Sequence, residues 1–494
     1  MRIPGSVKYV HSEDRKQTLK FFTIKNNDGM EVQICDYGAA IIAITVPDQY
    51  GNFDDVALSS DVPAEFMDND VYFGALVGRL CARTGGASFK LNGDTFKLPK
   101  NNGGSHLHGG KKGFSKARWK GTTGLDTRGQ YCELKLLSKN GEDGYPGDMK
   151  VTVRYTLLSN ENKLIVETKA TSTLDCPINT TQHCYFNLNG HKHGATSSKG
   201  DGIAGHRIKI FSKKSGDISR TTFFHSKSLQ DVNITTVLVD TFDFTNRYAE
   251  TNKDLVATGK LLNVKGTVLD LRASTLLRRR LKEMRGDKAT NGGFDHTYLI
   301  DDKLSKNAML KAKLGNDTKI RLAAELAAGK NGDRINGRRM RVYTDRQAIH
   351  LYTGNFLNNN PGKGGVKYKK YGGLCLEAED LPNAINLQYK KTAHEAFKRP
   401  IIVGPNTKPY SSTIIFEFLK DQLHFENIVH IDGVSDVAIM AKLNPLIVDS
   451  RGLTAAWQSP ALTTRLCFQW ITYVSSIASA EARCDMPYRH VLAR

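Results

Sequence analysis

The sequence predicts an all-β fold, built as a large antiparallel sandwich with few short helices. In residues 149–157, the side chains of Val151, Val153, Tyr155 and Leu157 alternate with polar ones, the period of two that marks a half-buried strand. Short strands of this kind recur between glycine-rich turns, whereas helical periodicity is rare. These two observations favour stacked antiparallel sheets.

Turn signals divide the first part of the chain into hairpins. Asn92-Gly93 separates the strand-like runs 87–91 and 94–98, and this dipeptide suits the positive φ angles of a type I′ turn. Asp28-Gly29 and Asp143-Gly144 mark two further turns. We therefore expect sequential strands to pair with their neighbours.

Two elements stand out in the second part of the chain. Residues 271–284 are the best candidate for a short helix, and residues 413–418 have the β-branched and aromatic composition of a late strand. The last strand-like run thus ends near residue 418.

Composition indicates a soluble globular protein of the cytoplasm. The chain has 494 residues, of which 39% are hydrophobic and 24% charged, enough for a sizeable core. No apolar run follows the first residues, so no secretory signal is expected. The eight cysteines are scattered singly without a CxxC motif, which is typical of reduced thiols in a cytosolic chain.

The formal charge of +20 raises the possibility of a nucleic-acid or membrane partner. The 70 lysines and arginines are spread along the chain, and no nucleic-acid-binding motif accompanies them. We therefore expect no specific nucleic-acid partner and no association with a membrane. The protein is expected to be a soluble monomer.

Four short motifs carry side chains suited to proton transfer. They are His108 in Ser-His-Leu-His-Gly-Gly, His183 in Thr-Gln-His-Cys-Tyr-Phe-Asn-Leu, Asp295 in Gly-Phe-Asp-His, and Glu377 in Leu-Cys-Leu-Glu. Two imidazoles and two carboxylates form a natural set for general acid–base chemistry near neutral pH.

The order and spacing of these motifs resemble the aldose 1-epimerases, also called galactose mutarotases, over about residues 1–418. Further motifs in family order are Tyr37-Gly38-Ala39, Val46-Pro47-Asp48, residues 73–79, residues 144–147, residues 269–272 and residues 352–356. The resemblance implies a large β-supersandwich domain over 1–418. A probable insertion at about 213–245 and a C-terminal extension at 419–494, whose structure the sequence does not indicate, depart from the family pattern.

The resemblance also implies the role of each residue. Glu377 aligns with the catalytic base, His183 with the general acid, and His108 with an assisting imidazole that also helps to hold the sugar. Asp295 and Arg83 align with sugar-binding residues, and Tyr185 of the His183 motif is expected at the substrate. The base should be a carboxylate whose pKa is raised by partial burial, and the acid an imidazolium kept charged by nearby carboxylates.

Positions 82, 182 and 350 differ from the family pattern. Ala82 replaces an asparagine before Arg83, Gln182 replaces an asparagine before His183, and His350 replaces a glutamine before the Tyr-Thr-Gly-Asn motif. We place Ala82 and His350 among the substrate-binding positions. A lost hydrogen bond to a neutral hydroxyl costs about 0.5–1.5 kcal/mol, so these changes affect sugar preference more than reaction type.

The activity that the resemblance implies is interconversion of the α and β anomers of free aldohexoses, such as galactose and glucose, without a cofactor. Two alternatives stay open within the same fold. One is an epimerase of phosphorylated hexoses, and the other is a catalytically weak sugar-binding or regulatory protein. A metal site at His106 and His108 is disfavoured, because glycines follow His108 and the carboxylate ligand expected a few residues later is missing.

Overall fold

The structure is a computed structural model that describes residues 5–12, 16–68, 70–195, 202–211, 247–300, 320–329 and 337–420, and four short strands between 218 and 242. In this part of the chain, all pairings between strands are antiparallel. Most residues lie in strands, and the α-helices that the structure describes are short, namely Pro63–Asp68, Leu277–Glu283 and Ala384–Leu387. The predicted all-β fold class is confirmed.

The largest sheet has nine strands and includes the last strand of the described chain. In spatial order its strands are Lys120–Leu125, Gly129–Ser138, Met149–Leu158, Lys163–Ser172, Tyr410–Lys420, Arg338–Thr344, Arg321–Ala327, Arg207–Ile210 and Thr275–Leu276. The last strand in sequence, Tyr410–Lys420, lies in the middle of this sheet, between Lys163–Ser172 and Arg338–Thr344.

A five-stranded sheet forms the N-terminal part of the molecule. Its strands are Ser6–His11, Thr18–Lys25, Glu31–Cys35, Ile41–Pro47 and Phe53–Asp55, in sequence order. Each strand pairs with the one before it, as the short turns between them require.

A seven-stranded sheet collects strands from distant parts of the sequence. In spatial order they are Ala257–Asn263, Arg247–Thr251, Asp295–Leu299, Ala348–Tyr352, Leu374–Glu379, Tyr185–Phe186 and Ala57–Leu58. Three of the four motifs with reactive side chains contribute strands to this sheet.

Short strand pairs and turns of 3-10 helix connect the three sheets. The pairs are Arg83–Thr84 with His106–Leu107, Ala75–Val77 with Thr181–His183, Ser88–Leu91 with Asp94–Lys97, Cys176–Pro177 with Ile402–Val403, Asn358–Pro361 with Lys367–Lys369, Ile218–Ser219 with Thr241–Phe242, and Phe223–Ser226 with Val232–Thr235. The 3-10 turns are Gly85–Ala87, Phe114–Lys116, Glu142–Gly144, His191–Gly194, Lys363–Gly365 and Glu395–Phe397.

One continuous hydrophobic core joins the sheets. Ile34 and Ile44 of the five-stranded sheet, Val153 and Phe416 of the nine-stranded sheet and Leu351 of the seven-stranded sheet belong to a single buried cluster. Removal of this apolar surface from water is the main force that holds the sheets face to face.

The local predictions compare well with the structure. The strand predicted at 149–157 is Met149–Leu158, and the hairpin turns at Asn92 and Gly93, whose φ angles are 52° and 90°. The predicted helix is shorter than its pattern, because only Leu277–Glu283 is helical. The late strand runs on to Lys420, past the predicted boundary at 418.

The probable insertion at 213–245 and the C-terminal extension lie largely outside the described residues. Four short strands are described within the insertion, and the chain is described again only from Arg247. The described helices include none with the length and apolar character needed to span a bilayer.

Candidate active site

One face of the seven-stranded sheet carries three of the predicted site residues, Asp295, His350 and Glu377. In the cross-strand register, Thr297 lies opposite His350, and His350 lies opposite Glu377 on the next strand. Asp295 lies opposite Tyr352 in the same way. Because side chains two residues apart on a strand point to one face, all five belong to the same face of the sheet.

His183 reaches this face from a different strand pair. Its strand, Thr181–His183, pairs with Ala75–Val77, and its Nε2 lies 3.6 Å from Oε1 of Glu377. Its Nδ1 lies 3.6 Å from the Sγ of Cys375. The side chains of His183 and Glu377 are only 5% and 3% exposed, so the pair is shielded from bulk water.

His108 completes the imidazole pair. It follows the short strand His106–Leu107 with a positive φ of 51°, and its ring centroid lies 5.1 Å from that of His183. The backbone N–H of Ala82 donates to its Nδ1 at 3.3 Å. This bond leaves the proton of the neutral ring on Nε2, so His108 can act as a hydrogen-bond donor.

Asp295 lies between two basic side chains. Its Oδ1 accepts from Nε2 of His350 at 3.0 Å, and its Oδ2 lies 3.7 Å from Nη2 of Arg83. Arg83 also donates from Nε to Oδ1 of Asn102 at 2.9 Å, which fixes its guanidinium. The arrangement presents a carboxylate and a guanidinium together, two groups that bind sugar hydroxyls well.

Burial controls the protonation of the central pair. It raises the pKa of Glu377 to about 8 and lowers the pKa of His183 to about 3. The sequence predicts an imidazolium at His183, but its ring is neutral, because the loss of hydration outweighs the effect of Asp295. The pKa of His108 is likewise held well below its usual range by burial.

His350 is the cationic histidine of the site. Burial by itself would lower its pKa, but the hydrogen bond and charge of Asp295 raise it to about 9. The pKa of Asp295 is driven well below its usual range by the same hydrogen bond and by Arg83, against the effect of burial. At neutral pH the two side chains therefore form an ion pair inside the pocket.

The ring geometry does not suit a resident metal ion. Ligand-type atoms of His108, His183 and Glu377 lie within 4.8 Å of one another. However, the bond from Ala82 leaves a proton on the Nε2 of His108, and a metal needs an unprotonated nitrogen. His106 is engaged elsewhere, with Nδ1 2.9 Å from the carbonyl oxygen of Pro99 and Nε2 2.8 Å from the Tyr145 hydroxyl.

Tyr185 and Ala82 contribute differently from what their sequence motifs suggested. The Tyr185 ring lies 5.1 Å from the His183 ring, while its hydroxyl donates to the carbonyl oxygen of Val71 at 2.9 Å. Ala82 contributes its backbone N–H to His108. Tyr185 thus contacts His183, and Ala82 holds His108; their predicted contacts with a sugar stay predictions.

Sequence reasoning missed several residues around the site. The Tyr72 ring lies 4.8 Å from the ring of His108 and 5.7 Å from that of His183, and it covers both. Thr297 and Glu379 hydrogen-bond behind His350. A signal was available for Glu379, since it stands two residues after Glu377, the spacing that places two side chains on the same face of a strand.

The chain is similar in sequence to known epimerases over most of its length. The family model described as aldose 1-epimerase matches residues 20–222 and 218–395. A galactose mutarotase of Sus scrofa is 32% identical over 81% of this chain and 94% of its own length. An aldose 1-epimerase of Escherichia coli (strain K12) is 25% identical over 82% of this chain and 96% of its own.

Solved structures share the fold. A homologue of GalM/aldose epimerase from C. elegans superposes with a TM-score of 0.61 at 21% identity, covering 81% of this chain and 99% of its own. A galactose 1-epimerase from Lactobacillus acidophilus NCFM gives 0.60 at 22% identity, covering 84% and 99%. At these identities the likeness concerns the fold alone.

Proposed function

Since the chain belongs to the aldose 1-epimerase family and is therefore an isomerase that interconverts the anomers of aldoses, we propose that its substrates are free aldohexoses such as galactose and glucose. The single observation that carries the assignment is the buried acid–base pair, with Nε2 of His183 3.6 Å from Oε1 of Glu377. The pair lies beside Asp295 and Arg83, which can hold hydroxyl groups.

In the proposed reaction, Glu377 is the base and His183 the acid. The carboxylate of Glu377 takes the proton of the anomeric hydroxyl, while His183 donates a proton to the ring oxygen. The bond between the anomeric carbon and the ring oxygen breaks, and the anomeric C–O bond becomes a carbonyl. Rotation of this carbonyl and reversal of both proton transfers give the other anomer.

The protonation of Glu377 and His183 fits this cycle when the protons of the two side chains are counted together. At neutral pH the pair holds one proton, which resides on Glu377 while His183 is neutral. The reactive arrangement holds the same number of protons, with the proton moved to His183. A sugar hydroxyl that donates to Glu377 and a ring oxygen that accepts from His183 both favour this transfer.

Asp295, Arg83, His108 and His350 are proposed to hold the sugar. Asp295 accepts from sugar hydroxyls, Arg83 and the Nε2 proton of His108 donate to them, and His350 fixes Asp295. Ala82 offers no side-chain amide, so this pocket makes fewer sugar contacts than the family pattern provides. We therefore expect a raised KM for galactose with the reaction type unchanged.

Polarimetry tests the function directly. Freshly dissolved α-galactose and α-glucose should lose optical rotation faster with protein than in buffer alone. The cations of the pocket are engaged by Asp295, so glucose 6-phosphate should be a poor substrate. Faster turnover of the phosphate would support the hexose-phosphate epimerase instead, and sugar binding without turnover would support a sugar-binding protein.

We also propose that the protein is a cytoplasmic monomer. The six cysteines in the described part of the chain are free and buried thiols, as suits a reducing compartment. All the proposed site residues come from one chain, so the site needs no second copy. Size-exclusion chromatography with light scattering tests the oligomeric state.

A further inference from the structure

A second buried carboxylate, Glu379, lies behind the site and takes no part in the proposed reaction. It is 1% exposed. Its Oε1 accepts from the hydroxyl of Thr297 at 3.0 Å, and its Oε2 accepts from the thiol of Cys81 at 3.1 Å. A buried carboxylate is costly unless it is hydrogen-bonded, so this environment is built around it.

Thr297 links Glu379 to His350. The Oγ1 of Thr297 lies 2.8 Å from Nδ1 of His350, and the opposite ring nitrogen, Nε2, donates to Asp295. The result is a buried chain of hydrogen bonds, the His350 relay, which runs from Asp295 through His350 and Thr297 to Glu379 and ends at Cys81.

Proton counting along the relay indicates the charge of His350. The hydroxyl of Thr297 has one proton, which it donates in a hydrogen bond to an ionised Glu379. The hydroxyl oxygen must then accept from Nδ1 of His350, so both ring nitrogens of His350 carry protons. The ring is an imidazolium held between two carboxylates.

The alternative places the proton at the other end of the relay. A protonated Glu379 would donate to Thr297, and Thr297 would donate to a neutral His350. Burial raises the pKa of Glu379 and so favours this arrangement. It is nevertheless disfavoured, because it would leave a neutral ring 3.0 Å from the ionised Asp295, whose hydrogen bond and charge hold the proton on His350.

We propose that Glu379 and Thr297 are positioning residues that keep His350 doubly protonated and aimed at Asp295. His350 thereby presents a fixed positive charge on the strand next to the base, Glu377, and stabilises the ionised form that the base needs. The effect on Glu377 rests on the proposed function, whereas the charge of His350 does not. The protonation of His350 can be measured without any sugar.

The charged and titratable groups that surround His350 come from several elements. Asp295 and His296 lie on the strand Asp295–Leu299, and Glu377 and Glu379 on the strand Leu374–Glu379. Arg83, His108 and His183 approach from the two short strand pairs. Removing Glu379 changes the charge at Glu377 as well as at His350, whereas removing the Thr297 hydroxyl changes no charge. Thr297 is therefore the sharper position for a test.

The first experiment follows the imidazole of His350 by NMR of protein labelled with ¹⁵N-histidine. Its signal is identified by its loss in His350→Gln. We expect a doubly protonated ring at pH 7.5 in the wild type. In Thr297→Val we expect the midpoint of titration to fall by at least about one pH unit, a tenfold weaker proton affinity. Thr297→Ser keeps the hydroxyl and should keep the wild-type midpoint.

The second experiment measures kinetics in a double-mutant cycle. Thr297→Val should lower kcat/KM roughly tenfold in the wild type, but by less than about twofold when His350 is already glutamine, because this change alters no charge and acts through His350. Circular dichroism and Tm of each variant establish that it is folded. If Thr297→Val fails to fold, the titration midpoint of His350 in Glu379→Gln, which should also fall, takes the place of the cycle.

A neutral His350 in the wild type at pH 7.5 would overturn the inference, as would equal shifts in Thr297→Val and Thr297→Ser. An equal loss from Thr297→Val in both backgrounds would also overturn it. These failures are distinct from failure of the proposed function. A wild type without mutarotation can still have a charged His350, and an active wild type can have a neutral one.

Discussion

At the scale of single residues, the proposed chemistry depends on the burial of Glu377, which sets the pKa of its carboxyl group. This glutamate lies in a strand whose six residues are all buried, and its side chain faces His183 rather than water. Desolvation raises its pKa into the range where a carboxylate can exchange protons with a sugar hydroxyl. A surface glutamate would be a much weaker base.

Glu377→Gln removes the base while preserving the shape of the side chain. We expect kcat to fall by about 10²–10⁴-fold, the usual scale for one general acid–base group. Polarimetric rates measure the loss, and circular dichroism checks the fold. Glu395→Gln is the matched control, because that carboxylate is exposed and should leave the rate unchanged. Wild-type turnover in Glu377→Gln would rule out the assignment.

The pH dependence follows from the proton shared by Glu377 and His183. The pKa of Glu377 is raised to about 8, so its proton is present below that pH and lost above it. Without that proton the pair has no acid, and kcat/KM should fall about tenfold per pH unit above about pH 8. On the acid side the rate should hold well below pH 6, because the pKa of His183 is lowered to about 3.

Polarimetry from about pH 5 to about pH 9.5, corrected for the spontaneous rate in each buffer, measures this profile. His350→Gln serves as a comparison, because the charge of His350 lowers the pKa of Glu377. Its alkaline limb should move to higher pH. A wild-type rate that keeps rising above about pH 8 would contradict the shared-proton account.

At the scale of elements, strand register brings the site residues together. Thr297, His350 and Glu377 form one row across three neighbouring strands. A slip of Ala348–Tyr352 by one residue would turn His350 to the opposite face and break its contact with Asp295. The buried apolar neighbours Ile349 and Leu351 oppose such a slip, since it would move them out of the core.

The hairpin of Ser88–Leu91 and Asp94–Lys97 allows a clean test of turn chemistry. Gly93 has a φ of 90° and no atom near the position of an added Cβ, so Gly93→Ala introduces backbone strain without a clash. We expect the free energy of unfolding to fall by about 1 kcal/mol with kcat unchanged. Chemical denaturation measures the change.

Gly104→Ala is the control for the turn. Gly104 also has open space around it but lacks a positive φ, so stability should stay the same or rise slightly. If both variants lose the same free energy of unfolding, the loss in Gly93→Ala does not come from the positive φ of Gly93.

At the scale of the whole molecule, the compact unit that holds the site ends at Gln422, and its last strand is central in the nine-stranded sheet. A chain that ends after Gln422 should therefore keep its turnover, since all proposed site residues precede it. A chain that ends after Pro409 lacks the strand Tyr410–Lys420 and should fail to fold. Circular dichroism and polarimetry distinguish the two. A folded but inactive chain ending at Gln422 would show that residues beyond it complete the site.

The fold class could be predicted from the sequence, and so could the side chains that are proposed to form the site. Alternation in 149–157 and the Asn92-Gly93 turn depend on a few neighbouring residues, so they can be interpreted locally. The motifs around His183 and Glu377 predicted which side chains would carry the chemistry, and the family match over residues 20–222 and 218–395 supports the same type of reaction.

The distances between the site residues and their protonation could not be predicted from the sequence, because both depend on how distant strands pack together. The 3.6 Å between His183 and Glu377 depends on strands far apart in sequence, and no local pattern encodes it. Protonation depends on how much water each group loses and on which charges face it, so the neutral His183 and the charged His350 could be identified only after folding. The link from His350 through Thr297 to Glu379 arises in the same way, from register between strands and burial on both sides.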